Sequence, residues 1–317
     1  MNIVVQDILK QIKAGEAQTE DFILDNIDET IPAGEIIPKL RKLIVKIRSS
    51  PQYKERFARQ AEAADLKGLN LILDIRTWWN STHDMLERAL EMREALDATA
   101  SSDKDLRIFE LNENEWNTIK EIMSVLKVFI RATKVVSSAK YPILSTTIPI
   151  YNFLIDKLES YCDKSNYSDI ANAVKVGINK LDTYYTKTDD TNMYTVATVL
   201  DPRLKLNYYE DNKWKHSFIR YAKETVLSIY NANYAPSATD GHLEDINDDE
   251  NDEFLDQLFG KQKKNQENEV ELYLKTPRTL RKEDILLWWK THKATFPNLA
   301  KMGRDYLAIT ATSVPVE

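Results

Sequence analysis

Residues 76–96 read RTWWNSTHDMLERALEMREAL, and this stretch decides how the surrounding chain is expected to fold. Its apolar residues after Asp84 recur at intervals of three and four positions, the spacing of one helix face: Met85, Ala89, Met92 and Leu96. Ser81 and Asp84 resemble a capping box, which predicts a helix start at Ser81. Residues 69–75 (LNLILDI) alternate in polarity and predict a strand, so we interpret the stretch as a strand-to-helix junction.

Helical spacing also governs most of the remaining chain. Four further apolar faces are expected to form long helices, at residues 116–133, 148–158, 170–185 and 214–229. The 317 residues include only seven glycines, too few for a sheet-rich fold with many tight turns. The sequence therefore predicts a mainly α fold with a small β element.

The charge of the chain is unevenly placed. The formal net charge is −7, yet residues 240–256 carry nine acidic residues and no lysine or arginine. Sparse apolar residues around them predict a disordered acidic linker at residues 236–265. A calcium-binding loop is the alternative, but Glu250 stands where such a loop needs glycine.

Cysteine, histidine and hydropathy patterns exclude several classes of protein. Cys162 is the single cysteine, which rules out an intramolecular disulfide and favours a reducing compartment. The four histidines lack metal-ligand spacing, so we predict no metal site. No apolar run approaches the length of a membrane span. We expect a cytoplasmic or nuclear protein without a membrane or small-molecule partner.

The quoted stretch resembles the RTRWNSTYDMLERAL segment of hAT-superfamily transposases, which are cut-and-paste DNA transposases and their domesticated descendants. Residues 144–159 (LSTTIPIYNFLIDKLE), 196–210 (VATVLDPRLKLNYYE) and 271–317 resemble further hAT blocks in the family's order. This resemblance covers essentially the whole chain. It implies an RNase H-like core interrupted by a helical insertion, followed by a C-terminal dimerisation block.

The resemblance also sets the expected domain boundaries. Residues 1–235 would hold a remnant of the RNase H-like core, including its small β element, together with the helical insertion domain. The acidic linker would follow at residues 236–265, and residues 266–317 would form the hAT dimerisation region.

Catalysis in such transposases depends on an Asp, Asp, Glu triad that holds two magnesium ions. The family's two aspartates precede a stretch that residues 1–7 (MNIVVQD) match, so both would fall before Met1. Glu317 matches the third carboxylate, although Thr310 and Val316 depart from the family pattern. We expect no enzyme activity and no cofactor, since Mg²⁺ belongs only to the intact family site. The alternative is a truncated sequence of an active transposase that cuts and joins DNA.

The family's Arg-Trp motif places a tryptophan where it can stack on a flipped base at the transposon end. Trp79 matches that tryptophan, whereas Trp78 replaces the arginine. Arg76 and Arg88 are candidates for phosphate contacts. Packing of the two tryptophans in the core and a solvated surface role for the arginines are the alternatives.

The C-terminal block is dense in the apolar and aromatic residue types that are enriched in interface cores. The residues predicted to mediate dimerisation are Ile285, Leu286, Trp288, Trp289, Phe296, Leu299, Tyr306 and Leu307. Docking of these side chains on the chain's own insertion domain is the alternative. We expect a nuclear, catalytically incompetent, transposase-derived protein that binds DNA weakly and pairs with itself or with related hAT proteins.

Overall fold

The computed structural model describes residues 1–32, 34–75, 79–138, 144–236 and 268–309. The chain divides into two compact units: unit 1 comprises residues 1–138 and 150–187, and unit 2 comprises residues 139–149 and 188–317. All regular elements in the described ranges are helical, so the mainly α prediction is confirmed. Nearly the whole predicted acidic linker lies outside the described residues, as do Arg76, Trp78 and Glu317.

Unit 1 is built from the first ten α-helices. In chain order they are α1 (Asn2–Gln11), α2 (Glu20–Asp25), α3 (Ile36–Ser49), α4 (Pro51–Ala63), α5 (Trp79–Glu91), α6 (Arg93–Ser101), α7 (Lys104–Arg107), α8 (Glu113–Ser138), α9 (Thr147–Lys164) and α10 (Ser168–Thr186). The unit's part of α9 begins at Ile150. Within the unit, α1 packs along α10, α4 along α6, and α5 along α8.

The apolar faces predicted from the sequence form the core of unit 1. Met85, Ala89, Met92 and Leu96 are all fully buried. On α8, Trp116, Ile119 and Leu126 are fully buried as well. The helical periodicity of these stretches is confirmed, because each face points into one shared apolar cluster.

The strand prediction for residues 69–75 is wrong. A strand needs a neighbouring strand to pair its backbone, and the described ranges contain none. Side chains bind this segment instead: the Ser81 hydroxyl accepts from the Ile75 amide at 2.8 Å and lies 3.1 Å from the Ile75 carbonyl oxygen. Because Ser81 lies inside α5 and binds Ile75, the predicted capping box at Ser81 is wrong too.

The described residues of unit 2 form a 3₁₀ turn at Leu144–Thr146 and six further α-helices. They are α11 (Met193–Leu200), α12 (Asn207–Asp211), α13 (His216–Asn233), α14 (Glu269–Lys275), α15 (Ile285–Thr291) and α16 (Leu299–Leu307). The centre of the unit is α11, whose last six residues are all buried, and it packs against the 3₁₀ turn, α13 and α16. Across the described ranges of both units, no helix has the length and apolar character that a bilayer crossing requires.

Candidate functional site

A buried ion pair holds the segment that leads towards the tryptophan motif. Asp74 and Arg41 are 3% and 4% exposed. The Arg41 guanidinium donates to both Asp74 carboxylate oxygens, at 2.9 and 2.7 Å, and the Thr82 hydroxyl donates to Asp74 at 2.9 Å. Arg41 also donates to the carbonyl of Ala14. The pair therefore ties the chain before α5 to both α3 and the first turns of α5.

Trp79 lies in the apolar core of unit 1. Its side chain is buried, and its ring meets that of Phe129 edge to face, with the ring centroids 6.2 Å apart and an interplanar angle of 75°. The packing alternative accounts for this contact. Base stacking by Trp79 stays a prediction, and it requires a face of the ring to leave the core.

Arg88 uses its guanidinium within the chain. Its Nη1 donates to the Asn70 carbonyl at 2.7 Å, and its Nε lies 3.1 Å from a Glu91 carboxylate oxygen. Arg88 is half-buried in this position. A phosphate contact by Arg88 stays a prediction, and a phosphate would have to share or replace these two partners.

One group of potential metal ligands lies on α5 within the described residues. Ligand atoms of His83, Asp84 and Glu87 fall within 4.8 Å of one another. The His83 Nδ1 and an Asp84 carboxylate oxygen are 3.1 Å apart, and both carboxylates are exposed. The spacing of the four histidines does not indicate this group, although His83 and Glu87 share a helix face. The hydrogen bond between His83 and Asp84 explains their proximity without an ion.

The residues predicted to mediate dimerisation divide into a buried and a half-buried set. The buried residues are Ile285, Trp288, Trp289, Phe296, Leu299 and Leu307, and the half-buried ones are Leu286 and Tyr306. All eight lie in or against the apolar core of unit 2. Each aromatic ring of the block therefore has partners inside its own chain.

Two hydrogen bonds attach the C-terminal aromatic residues to α11. The Trp289 indole donates to the Leu200 carbonyl and the Tyr273 hydroxyl to the Val199 carbonyl, each at 3.1 Å. Burial raises the pKa of Tyr273 well above its ordinary value of 10.0, which favours the protonated hydroxyl that donates this bond. Gly303 permits the close packing of Trp289, because a Cβ at that position would lie 2.8 Å from the indole ring.

Lys205 is fully buried and makes contacts that no sequence pattern indicated. It adopts a φ of +53°, and its ammonium donates to the Tyr273 carbonyl at 2.7 Å and to the Thr276 carbonyl at 2.6 Å. These carbonyls lie at the end of α14, where helical carbonyls lack intrahelical partners. Burial lowers the pKa of Lys205 to about 8. Lysine is rarely fully buried, so the sequence carries no general signal for this role.

Asp201 begins the turn that contains Pro202, because its carbonyl accepts from the Leu204 amide at 2.9 Å. Its carboxylate accepts from the Arg203 amide at 3.0 Å and from the Arg203 guanidinium at 3.0 and 2.8 Å. The Ser145 hydroxyl donates to the same carboxylate at 2.8 Å. The Asp201 carboxylate is therefore bound by Arg203, which is close in sequence, and by Ser145 of the 3₁₀ turn.

Leu287 is the exposed apolar residue of α15. Its side chain is 52% exposed, while its neighbours Leu286 and Trp288 pack on the core. Leu280, in the loop before α15, is 77% exposed. The described part of the block therefore presents leucine side chains to solvent beside a rigid aromatic core.

Two family models match the chain. Residues 1–125 match the ZBED1 RNase-like helical domain, and residues 269–317 match the hAT family C-terminal dimerisation region. The first model falls within unit 1 and the second within unit 2. The C-terminal match begins at the first residue of α14.

Curated proteins from fungi and plants are similar over most of this chain. A putative transcriptional regulator, tpeD, from Talaromyces stipitatus is 28% identical, and the alignment covers 89% of this chain and 32% of the relative. The putative AC transposase of Zea mays is 26% identical, with coverages of 89% and 37%. The zinc finger BED domain-containing protein RICESLEEPER 3 of Oryza sativa is 26% identical, with coverages of 92% and 41%. The chain thus spans between 32% and 41% of the length of these relatives.

Proposed function

The chain belongs to the hAT transposase family, and we propose that it is a transposase-derived protein that self-associates through its C-terminal block and binds DNA weakly without catalysis. The match of residues 269–317 to the hAT dimerisation region carries this proposal. Another copy of this chain, or a related hAT protein with the same region, is the partner in this function.

The exposed side of α15 is the part of the block through which we expect association to occur. Leu287 offers an apolar side chain to a partner, and the half-buried Leu286 flanks it. The buried tryptophans attach α15 to the core of unit 2, so this helix is already ordered before a partner binds. The predicted residues Trp288 and Trp289 then act in association by positioning α15.

Light scattering on the purified chain tests the association. We expect wild type at micromolar concentration to have twice the monomer mass of 36.7 kDa. Leu287→Asp places a charge in the contact and is expected to give monomers. Leu280→Asp is the matched control, because it makes the same change at a leucine that is exposed in the preceding loop. A monomeric wild type, or a dimer unchanged by Leu287→Asp, would contradict the proposed surface.

DNA binding and nuclear localisation complete the proposal. The candidates for DNA contact remain the tryptophan motif and its arginines: Arg76, Trp78, Trp79 and Arg88. Support comes from relatives that are named as a transposase, a BED zinc finger protein and a putative transcriptional regulator. Imaging of the tagged chain in cells would check its localisation, and exclusion from the nucleus would contradict this assignment.

Another part of the proposal is that the chain does not catalyse DNA cleavage or joining. Its support is that the buried carboxylates of the described ranges, Asp74 and Asp201, are both bound by arginine side chains. The alternative is an active hAT transposase of which this chain is one part, and the partial coverage of the relatives supports that reading. Incubation with a labelled transposon-end duplex and magnesium or manganese distinguishes them. Cleavage or joining that is lost in Glu317→Ala would establish the active alternative.

A further inference from the structure

The solvent-facing side of α8 carries a row of cations. Four exposed basic residues recur along this helix, at Lys120, Lys127, Arg131 and Lys134, and Ser124 is exposed between the first two. The intervals from Lys120 through Ser124 to Lys134 alternate between four and three residues, so these five side chains share one face. The row rises about 21 Å along the helix axis at the usual helical rise per residue.

The cations of this row have few acidic neighbours. None of the four forms an ion pair with another residue in the ranges that the structure describes. Lys120 helps to lower the pKa of Glu113, whose main partner is Arg93, and the half-buried Glu121 accepts a hydrogen bond from Tyr161. The row is therefore a concentrated positive charge, in contrast to the paired Arg41.

Helix stability does not explain the row. Like charges three and four residues apart repel one another and destabilise a helix. Basic residues stabilise the helix dipole only within the last turn, and α8 has none in its last turn. A bound polyanion would neutralise these charges and remove the repulsion between them.

We propose that this α8 row binds the sugar-phosphate backbone of duplex DNA. The inference rests on the DNA-binding part of the proposed function and assigns it a surface outside the tryptophan motif. A row of about 21 Å is longer than the major groove is wide, about 12 Å, so its cations can reach phosphates on both strands that flank the groove. Lysine and arginine side chains on such a row contact phosphates without reading bases, so binding is independent of DNA sequence.

Fluorescence anisotropy with a labelled duplex of about 30 base pairs and arbitrary sequence tests the row. The variant is Lys127→Gln, Arg131→Gln and Lys134→Gln in the full chain. The matched control removes three exposed lysines on other helices of unit 1, by Lys54→Gln, Lys164→Gln and Lys175→Gln. Both variants change the net charge equally, and circular dichroism melting curves verify that both remain folded.

The measured quantity is the slope of DNA affinity against salt concentration on logarithmic axes. Each lost phosphate contact lowers the slope of log K against log salt by about 0.9, so three lost contacts lower it by about 2.7. We expect the row variant to show this decrease and at least a tenfold weaker affinity, while the control keeps the wild-type slope. Equal slopes for the row variant and the control, with a wild type that binds DNA, would overturn the row and leave the proposed function intact.

Two other outcomes are distinguishable from these. A wild type without measurable DNA affinity would overturn both the row and the DNA-binding part of the proposed function. A synthetic peptide of residues 240–256 is the competing polyanion from the same chain, with nine acidic residues. If the row variant loses affinity for this peptide and keeps its affinity for DNA, the row binds an acidic segment and the DNA assignment is wrong.

Discussion

Replacement of Asp74 by alanine would leave the guanidinium of Arg41 buried without its carboxylate. Both residues are at least 96% buried, and Asp74 accepts hydrogen bonds from Arg41 and Thr82. Removal of one partner of a buried ion pair costs about 3 to 5 kcal/mol, because the remaining charge stays desolvated. We expect a loss of this size in the stability of unit 1.

Hydrogen exchange read by peptide mass spectrometry measures this loss for unit 1 alone. A loss of about 3 kcal/mol raises the exchange rate of globally protected amides more than a hundredfold, since about 1.36 kcal/mol corresponds to a factor of ten. We expect this acceleration in peptides from α3 and α5 of Asp74→Ala. Peptides from α14 and α15 are expected to exchange as in wild type.

Two further variants separate the buried pair from a general effect of mutation. Glu91→Ala removes the partly exposed contact with Arg88 and should cost less than about 1 kcal/mol. The double variant Arg41→Met with Asp74→Leu replaces the pair by apolar side chains and should recover most of the stability. A loss below about 1 kcal/mol in Asp74→Ala would refute the reasoning, because the pair would then contribute no more than a surface contact.

The other predictions concern close packing and pH. Gly303→Ala should destabilise unit 2 by about 1 to 3 kcal/mol, as measured by urea unfolding, because its Cβ meets the rigid ring of Trp289. Gly177→Ala should destabilise unit 1 as well, because its Cβ would lie 2.5 and 2.7 Å from atoms of the buried, β-branched Ile8 side chain. Lys205 has a pKa of about 8 in the folded chain and an ordinary value of 10.5, so the folded state binds fewer protons between these values. Its contribution to unfolding free energy should therefore rise from pH 8 to 10, by at most about 1.4 kcal/mol per pH unit, and this rise should be absent in Lys205→Met.

The helices could be predicted because their signal is local. The spacing of Met85, Ala89 and Met92 records which side of the helix is buried, whatever that side packs against. The strand at residues 69–75 could not be judged in this way, since a strand depends on a partner elsewhere in the chain. The alternating pattern reflects a segment in which Leu71 and Asp74 are buried and Ile75 is exposed.

The sequence indicated which residues of the candidate site are buried, but it did not indicate what they pack against. The apolar residues of the C-terminal block predict burial. Composition does not indicate whether Trp289 packs on its own chain or on a partner. The structure places Trp289 against Leu200 of α11. The role of Lys205 depends on a helix end that lies about seventy positions later, so no local pattern could have indicated it.

The buried contacts between residues 199–205 and α14 limit which segments can be exchanged between related proteins. A chimaera that replaces only residues 269–317 would separate Tyr273 and Trp289 from the carbonyls that they bind on α11, and Lys205 from the end of α14. The natural unit of recombination in this chain therefore also includes the 3₁₀ turn and residues 188–236. A hybrid joined within the acidic segment would inherit a mismatched core.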